Sequence, residues 1–213
     1  MRKSQLAIAA LSLAALFSAF AGGCAIGTTR VCVAHEMLQK VEPKRQGSLL
    51  IKTVVDGRAA GHREFIGNKR NAYGMVLGHI GTIEGVRLED VMTKSLAEAL
   101  GEAGYSVTIA SAGAPVSSDS RQFDAVIEGR ITEFWLDLYM MVWHNVKMQV
   151  SIQEPGSGRA LWNREFHGTQ TNVLWLGITP EFEKAIAQAM TKMLDSVAKT
   201  AASDECYQCI KRK

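Results

Sequence analysis

The chain has 213 residues, of which 47% are hydrophobic, 21% charged and 7% aromatic, with only 4 prolines. That composition suits one or two globular domains and excludes a disordered chain or a Pro-rich linker. A formal net charge of +3 and only 4 cysteines exclude a strongly basic nucleic-acid binder and a disulfide-dense miniprotein.

Arg2 and Lys3 precede an uncharged apolar run from Leu6 to Phe20, and the small residues Ala21, Gly22 and Gly23 follow immediately before Cys24. A charged start, an apolar middle and a small-residue junction are the parts of a secretory signal. The apolar run is short of the roughly 20 residues that a membrane-spanning helix needs. Residues 1–23 are therefore expected to be a signal peptide. The Ala-Gly-Gly-Cys junction resembles a bacterial lipobox. That resemblance implies cleavage before Cys24, a diacylglycerol thioether on its sulfur and a fatty-acylated (palmitate-type) amino group, so that the membrane is a partner through the anchor. Ala25 follows the cysteine where inner-membrane lipoproteins carry Asp, which implies the bacterial outer membrane, with the domain on the periplasmic face. Cleavage removes two of the 24 basic side chains and none of the 21 acidic ones, leaving no excess charge to favour nucleic acid.

Residues 24–47 mix Gly, Thr, Pro and charges and are expected to tether the anchor to a domain over 48–202. Ser48 to Val55 is β-branched and apolar, a buried strand. Gly57 to Gly85 carries seven glycines with weak periodicity and is expected to be a long loop. Leu88, Val91, Met92, Leu96, Ala99, Leu100 and Ala103 recur at helical spacing and predict a helix over 86–103, capped by Gly104. Strands are expected over 105–110 and 123–132. From Phe134 to Ile152 the even positions are mostly apolar, and from Trp143 the odd ones are mostly polar, which predicts paired strands with one buried face. Pro155-Gly156-Ser157-Gly158 is a hairpin turn leading into a strand over 160–169. Thr179-Pro180 starts a final helix whose buried stripe is Phe182, Ile186, Met190, Met193, Leu194 and Val197. Residues 203–213 form a Cys-containing C-terminal tail. The expected fold class is α+β, a two-layer sandwich in which a largely antiparallel sheet of about five strands is packed by two helices.

Several short motifs carry a family resemblance: the lipobox, Asp56-x-Arg58 at a strand end, Ile66-Gly67, Gly104-Tyr105-x-Val107, Ile131 to Trp135, and Leu161-Trp162. Together they resemble the YajG-type bacterial lipoproteins of uncharacterised function over roughly residues 48–200. The resemblance implies a fold and an envelope location, and it brings no catalytic residue.

Cys206-Tyr207-Gln208-Cys209 has the spacing of a redox or metal motif. It lies beyond the last predicted helix, beside Asp204 and Glu205, which oppose thiolate formation. With Cys24 lipidated three thiols remain, and the favoured expectation is a Cys206–Cys209 disulfide; the alternative bonds Cys32 to Cys206 or Cys209 and staples the tether to the tail. The five histidines have no metal-ligand spacing, and neither nucleotide-binding glycine motif occurs, so no metal, cofactor or catalytic residue is expected. Asp56 and Arg58 share one face of a strand end, as a local ion pair or as a partner-binding edge. Trp135, Asp137, Tyr139, Met141 and Trp143 share one parity, opposite to the Leu/Met/Val face, so Trp135, Tyr139 and Trp143 are either buried by the second helix or form an exposed partner-binding strip. The reading is a non-enzymatic, membrane-anchored adaptor or accessory subunit with an envelope protein partner. The alternatives are a lipid- or small-molecule-binding auxiliary lipoprotein of an ABC-type transporter, and a thiol–disulfide redox protein.

Overall fold

The computed structural model describes residues 26–110, 120–173 and 178–211; residues 1–23, expected to be a signal peptide, and Cys24, the expected lipidation site, lie outside them. The sheet is organised on one long strand, β7 (Ala125–Tyr139). β2 (Ser48–Ile51), β3 (Val55–Asp56) and β4 (Gly67–Arg70) follow one another along one of its edges, all parallel to it. β6 (Ser106–Ile109) lies outside β2. β5 (Val76–Thr82) lies outside β4, and β1 (Thr29–Val31) outside β5. The other edge of β7 takes β8 (Met141–Gln153) and then β9 (Ala160–Val173) as long antiparallel ladders.

The sheet among the described residues is therefore nine-stranded and mixed, in place of the expected antiparallel sheet of about five strands. Alternation in the sequence reveals strands without revealing their neighbours. Here three short segments return to the same edge of β7, and that arrangement makes the extra pairings parallel. The segment expected as a Gly-rich loop contains the β4–β5 hairpin. Two of its glycines mark close approach: a Cβ on Gly67 would lie 2.1 Å from the Leu136 carbonyl oxygen, and one on Gly78 2.1 Å from that of Gly27.

Three helices pack on one face: α1 (Leu88–Glu102), α2 (Thr179–Ala201) and α3 (Asp204–Lys211). The stripes read from the sequence are the buried ones. Met92, Leu96 and Ala99 of α1 and Phe182, Ile186, Met190, Met193 and Leu194 of α2 are inaccessible or nearly so. They meet Ile127, Ile131, Phe134, Val146 and Met148 of β7 and β8 in one core. α2 comes down onto β9 at Gly168, where a Cβ would stand 1.9 Å from the Ala189 carbonyl oxygen.

Residues 29–47, expected to be a tether, are packed against this body. Val31, Val33, Leu38 and Val41 are buried in the core. The Cys32, Glu36 and Gln39 amides donate to Glu183, Thr191 and Asp195 of α2 at 2.7–2.9 Å. The tail is likewise docked, as α3, through Cys206 and Ile210. Arg45 stacks over Tyr207 at 4.9 Å and pairs with Asp204 at 2.6 Å.

Candidate functional site

The predicted parity group on β7 and β8 comes together because of a β-bulge. Ile127, Gly129 and Ile131 face the helices at odd positions; a register shift between Ile131 and Glu133 then places Phe134 and Leu136 inward at even ones. From there Trp135, Asp137 and Tyr139 point to the helix-free face, opposite Asn145, Trp143 and Met141 respectively. Trp143 is 37% exposed, whereas Trp135 and Tyr139 are half-buried.

That partial cover comes from residues the sequence pattern did not single out. His62 stacks on Trp135 with ring centroids 4.3 Å apart. Arg70 pairs with Asp137 at 2.9 Å, and the Tyr139 hydroxyl donates to the Ala72 carbonyl at 3.1 Å. All three partners come from the β3–β5 segment, far from the hairpin in sequence, so no local signal pointed to them. The strip is thus a braced surface with Trp143 at its open side. Further along the same face the sheet is polar, with Lys147 paired to Glu133 at 2.7 Å.

Asp56 and Arg58 are not on that surface. They form a buried ion pair, with side chains 9% and 3% exposed, joined by Arg58 Nη2 to Asp56 Oδ2 at 2.8 Å and Nε to Oδ1 at 3.0 Å. Arg58 Nη1 also donates to the Phe65 and Phe134 carbonyls at 3.1 Å each. Burial opposes the charge on Asp56, but hydrogen bonds from Arg58 and its positive charge outweigh it and hold the carboxyl below its usual range. The pair fastens the loop bearing His62 to β7 and so positions the cover of the strip.

The expected Cys206–Cys209 disulfide is not formed; Cys32, Cys206 and Cys209 are free thiols. On α3, Cys206 turns into the core with Ile210, one helical turn further on, while Cys209 lies half-buried. Burial first, then Cys209 and Glu205, push the Cys206 thiol up to about 12. A thiol in that state does not supply the thiolate on which redox exchange depends. Among the described residues, an apolar void of about 20 Å³ lies between helices and sheet, bordered by Trp162, Phe166, Cys206 and Ile210. That is room for about one water molecule.

His144 occupies the inward position its parity predicts, edge-on to Phe134 with ring centroids 4.7 Å apart. It is wholly buried, and among the described residues neither ring nitrogen has a hydrogen-bond partner of good geometry; the Trp135 backbone interacts with it weakly. Burial pushes its pKa down to about 3, with the nearby Trp135 backbone opposing the shift in part. It is therefore neutral at ordinary pH.

No family model and no curated protein matches the sequence. Solved structures share the fold. A DUF330-family protein from Xanthomonas campestris superposes with a TM-score of 0.53 at 13% identity, covering 83% of this chain and 93% of that one. A homolog of a neuraminyllactose-binding hemagglutinin from Helicobacter pylori gives 0.51 at 10% identity, over 86% and 97%. The lipoprotein GNA1162 of Neisseria meningitidis gives 0.38 at 14%, over 68% and 95%. At these identities the likeness is one of fold. It does not extend to the narrower YajG-type resemblance.

Proposed function

We propose that this chain is a lipid-anchored, non-enzymatic protein of the bacterial envelope that acts as an adaptor, binding a protein partner through the helix-free face of the β7–β8 hairpin. The observation that carries the reading is the braced Trp135–Tyr139–Trp143 strip: partly open aromatic side chains fixed on rigid strands are the side chains and the setting that dominate protein interfaces. The signal peptide and the Cys24 junction support the envelope location, by their resemblance to a lipobox. The two alternatives have less behind them. A carrier for an acyl chain calls for a cavity of roughly 300–1,000 Å³, far above the void between helices and sheet, and a redox role calls for a reactive thiol where Cys206 is buried and protonated.

The test is a photo-crosslinking amino acid at position 143, with position 163 on the same face but nearer the opposite end of β8 and β9 as a control. The reading expects one discrete envelope-protein adduct from position 143 in intact cells and its absence from position 163. Identical diffuse labelling from both positions would remove the strip as the binding surface.

A further inference from the structure

Strand register brings several chain ends to one level. Lys69 of β4 lies opposite Leu138, β5 begins at Val76 opposite Arg70, and β9 ends at Val173 opposite Met141. The turn at 71–75, the turn at Met140 and the end of β9 thus form one end of the sheet, joined by the Tyr139–Ala72 hydrogen bond. This end is unusually apolar for a surface. Tyr73 is 89% and Met140 73% exposed, and Met75, Val76 and Val173 are exposed beside them. Neither turn contains Asp or Glu. The opposite end, the turn of residues 154–159, carries Glu154, Ser157 and Arg159 instead.

The N-terminal segment leads to that same end. β1 is parallel to β5 with Thr29 opposite Ile80, so the chain traced backwards from Thr29 runs toward Val76. The Gly27 amide donates to the Leu77 carbonyl at 3.3 Å, and the missing Cβ of Gly78 allows this contact. Ile26 is exposed. Only two residues, Ala25 and Ile26, separate Gly27 from Cys24, a reach of about 10 Å over three Cα–Cα steps.

We infer that this apolar end is a bilayer-contacting rim. The inference rests on the reading of Cys24 as the lipidated residue. With acyl chains within that reach, Tyr73, Met75, Val76 and Met140 enter the headgroup region, where aromatic and apolar side chains gain by leaving water. Because residues 29–47 are packed rather than free, the domain is held against the membrane in one orientation. The long axis of β7 and β8 then stands away from the surface, and the 154–159 turn lies roughly 40 Å out, at the strand rise per residue.

The test uses the full lipidated chain in phosphatidylethanolamine/phosphatidylglycerol vesicles containing a doxyl-labelled lipid. Tyr73→Trp is compared with Ser157→Trp after subtraction of wild-type emission, and the intact mass of each sample reports the anchor. Both sites are exposed, so folding is not at stake, and circular dichroism checks it. The rim predicts quenching and a blue shift for Tyr73→Trp and neither for Ser157→Trp. A lipidated mass with both variants equally unquenched would overturn the rim while leaving the anchor intact. A mass without lipid would overturn the anchor reading and the rim with it.

Discussion

Replacing His144 by leucine removes an imidazole that the core does not fully satisfy. In the folded chain its pKa is about 3, against an ordinary value of 6.5, so folding excludes a proton that the unfolded chain takes up. The sign follows: between those two values the unfolded state binds more protons, and wild-type stability falls as pH drops below about 6.5. From pH 7 to pH 5 this one group costs about 2 kcal/mol, at about 1.4 kcal/mol per pH unit once the unfolded group is protonated. For a chain of this length that is a fall in Tm of about 4–8 °C. Leucine has nearly the same volume and no polar atom. At pH 7 the variant should therefore match or exceed wild type, by up to the 1–3 kcal/mol that an unsatisfied buried polar group typically costs. The assay is urea unfolding of both proteins at pH 7 and pH 5. Subtracting the variant's pH effect from that of wild type cancels the carboxylates that titrate in both. A variant that is markedly destabilised at pH 7, or that shows the full wild-type loss at pH 5, would refute the reasoning.

Three further substitutions or treatments follow from the same geometry. Asp56→Asn strands the buried Arg58 charge and should cost about 3–5 kcal/mol by chemical unfolding; because the folded pKa of Asp56 is lowered, the pair's contribution is present above the ordinary value of 3.8 and lost as pH falls through the folded one. Gly168→Ala forces α2 away from β9 and should cost about 1–3 kcal/mol, the usual penalty of overpacking, with a loss of near-ultraviolet circular dichroism. In native protein at pH 8 iodoacetamide should modify exposed Cys32 rapidly and buried Cys206 only on unfolding, as read by mass spectrometry of peptides. Equal rates for the two would contradict the packing of α3.

What was legible in the sequence was periodic. The alternation of β8 gives its buried face residue by residue from Val142 to Ile152, and the stripes of α1 and α2 are the ones that meet the sheet. The parity of Trp135, Asp137, Tyr139, Met141 and Trp143 holds as well, because all five lie beyond the bulge. Non-local structure was not legible. Val31, Val33, Leu38 and Val41 are too widely spaced to show a period, yet α2 supplies the partners that fix them. The β4–β5 hairpin was hidden because its glycines, which usually signal loops, are here required by the close approach of strands. The bracing of the strip by His62, Arg70 and the Asp56–Arg58 pair depends on contacts that only the tertiary fold creates.

The envelope assignment and the membrane rim both stand on Cys24, so the most direct test is the intact mass of the full chain expressed in a bacterial host and extracted from its membranes with detergent. The account predicts a polypeptide beginning at Cys24 with the added mass of a diacylglycerol and an amide-linked acyl chain, and loss of all three in Cys24→Ser. A chain that retains residues 1–23, or one cleaved there and released without lipid, would contradict it.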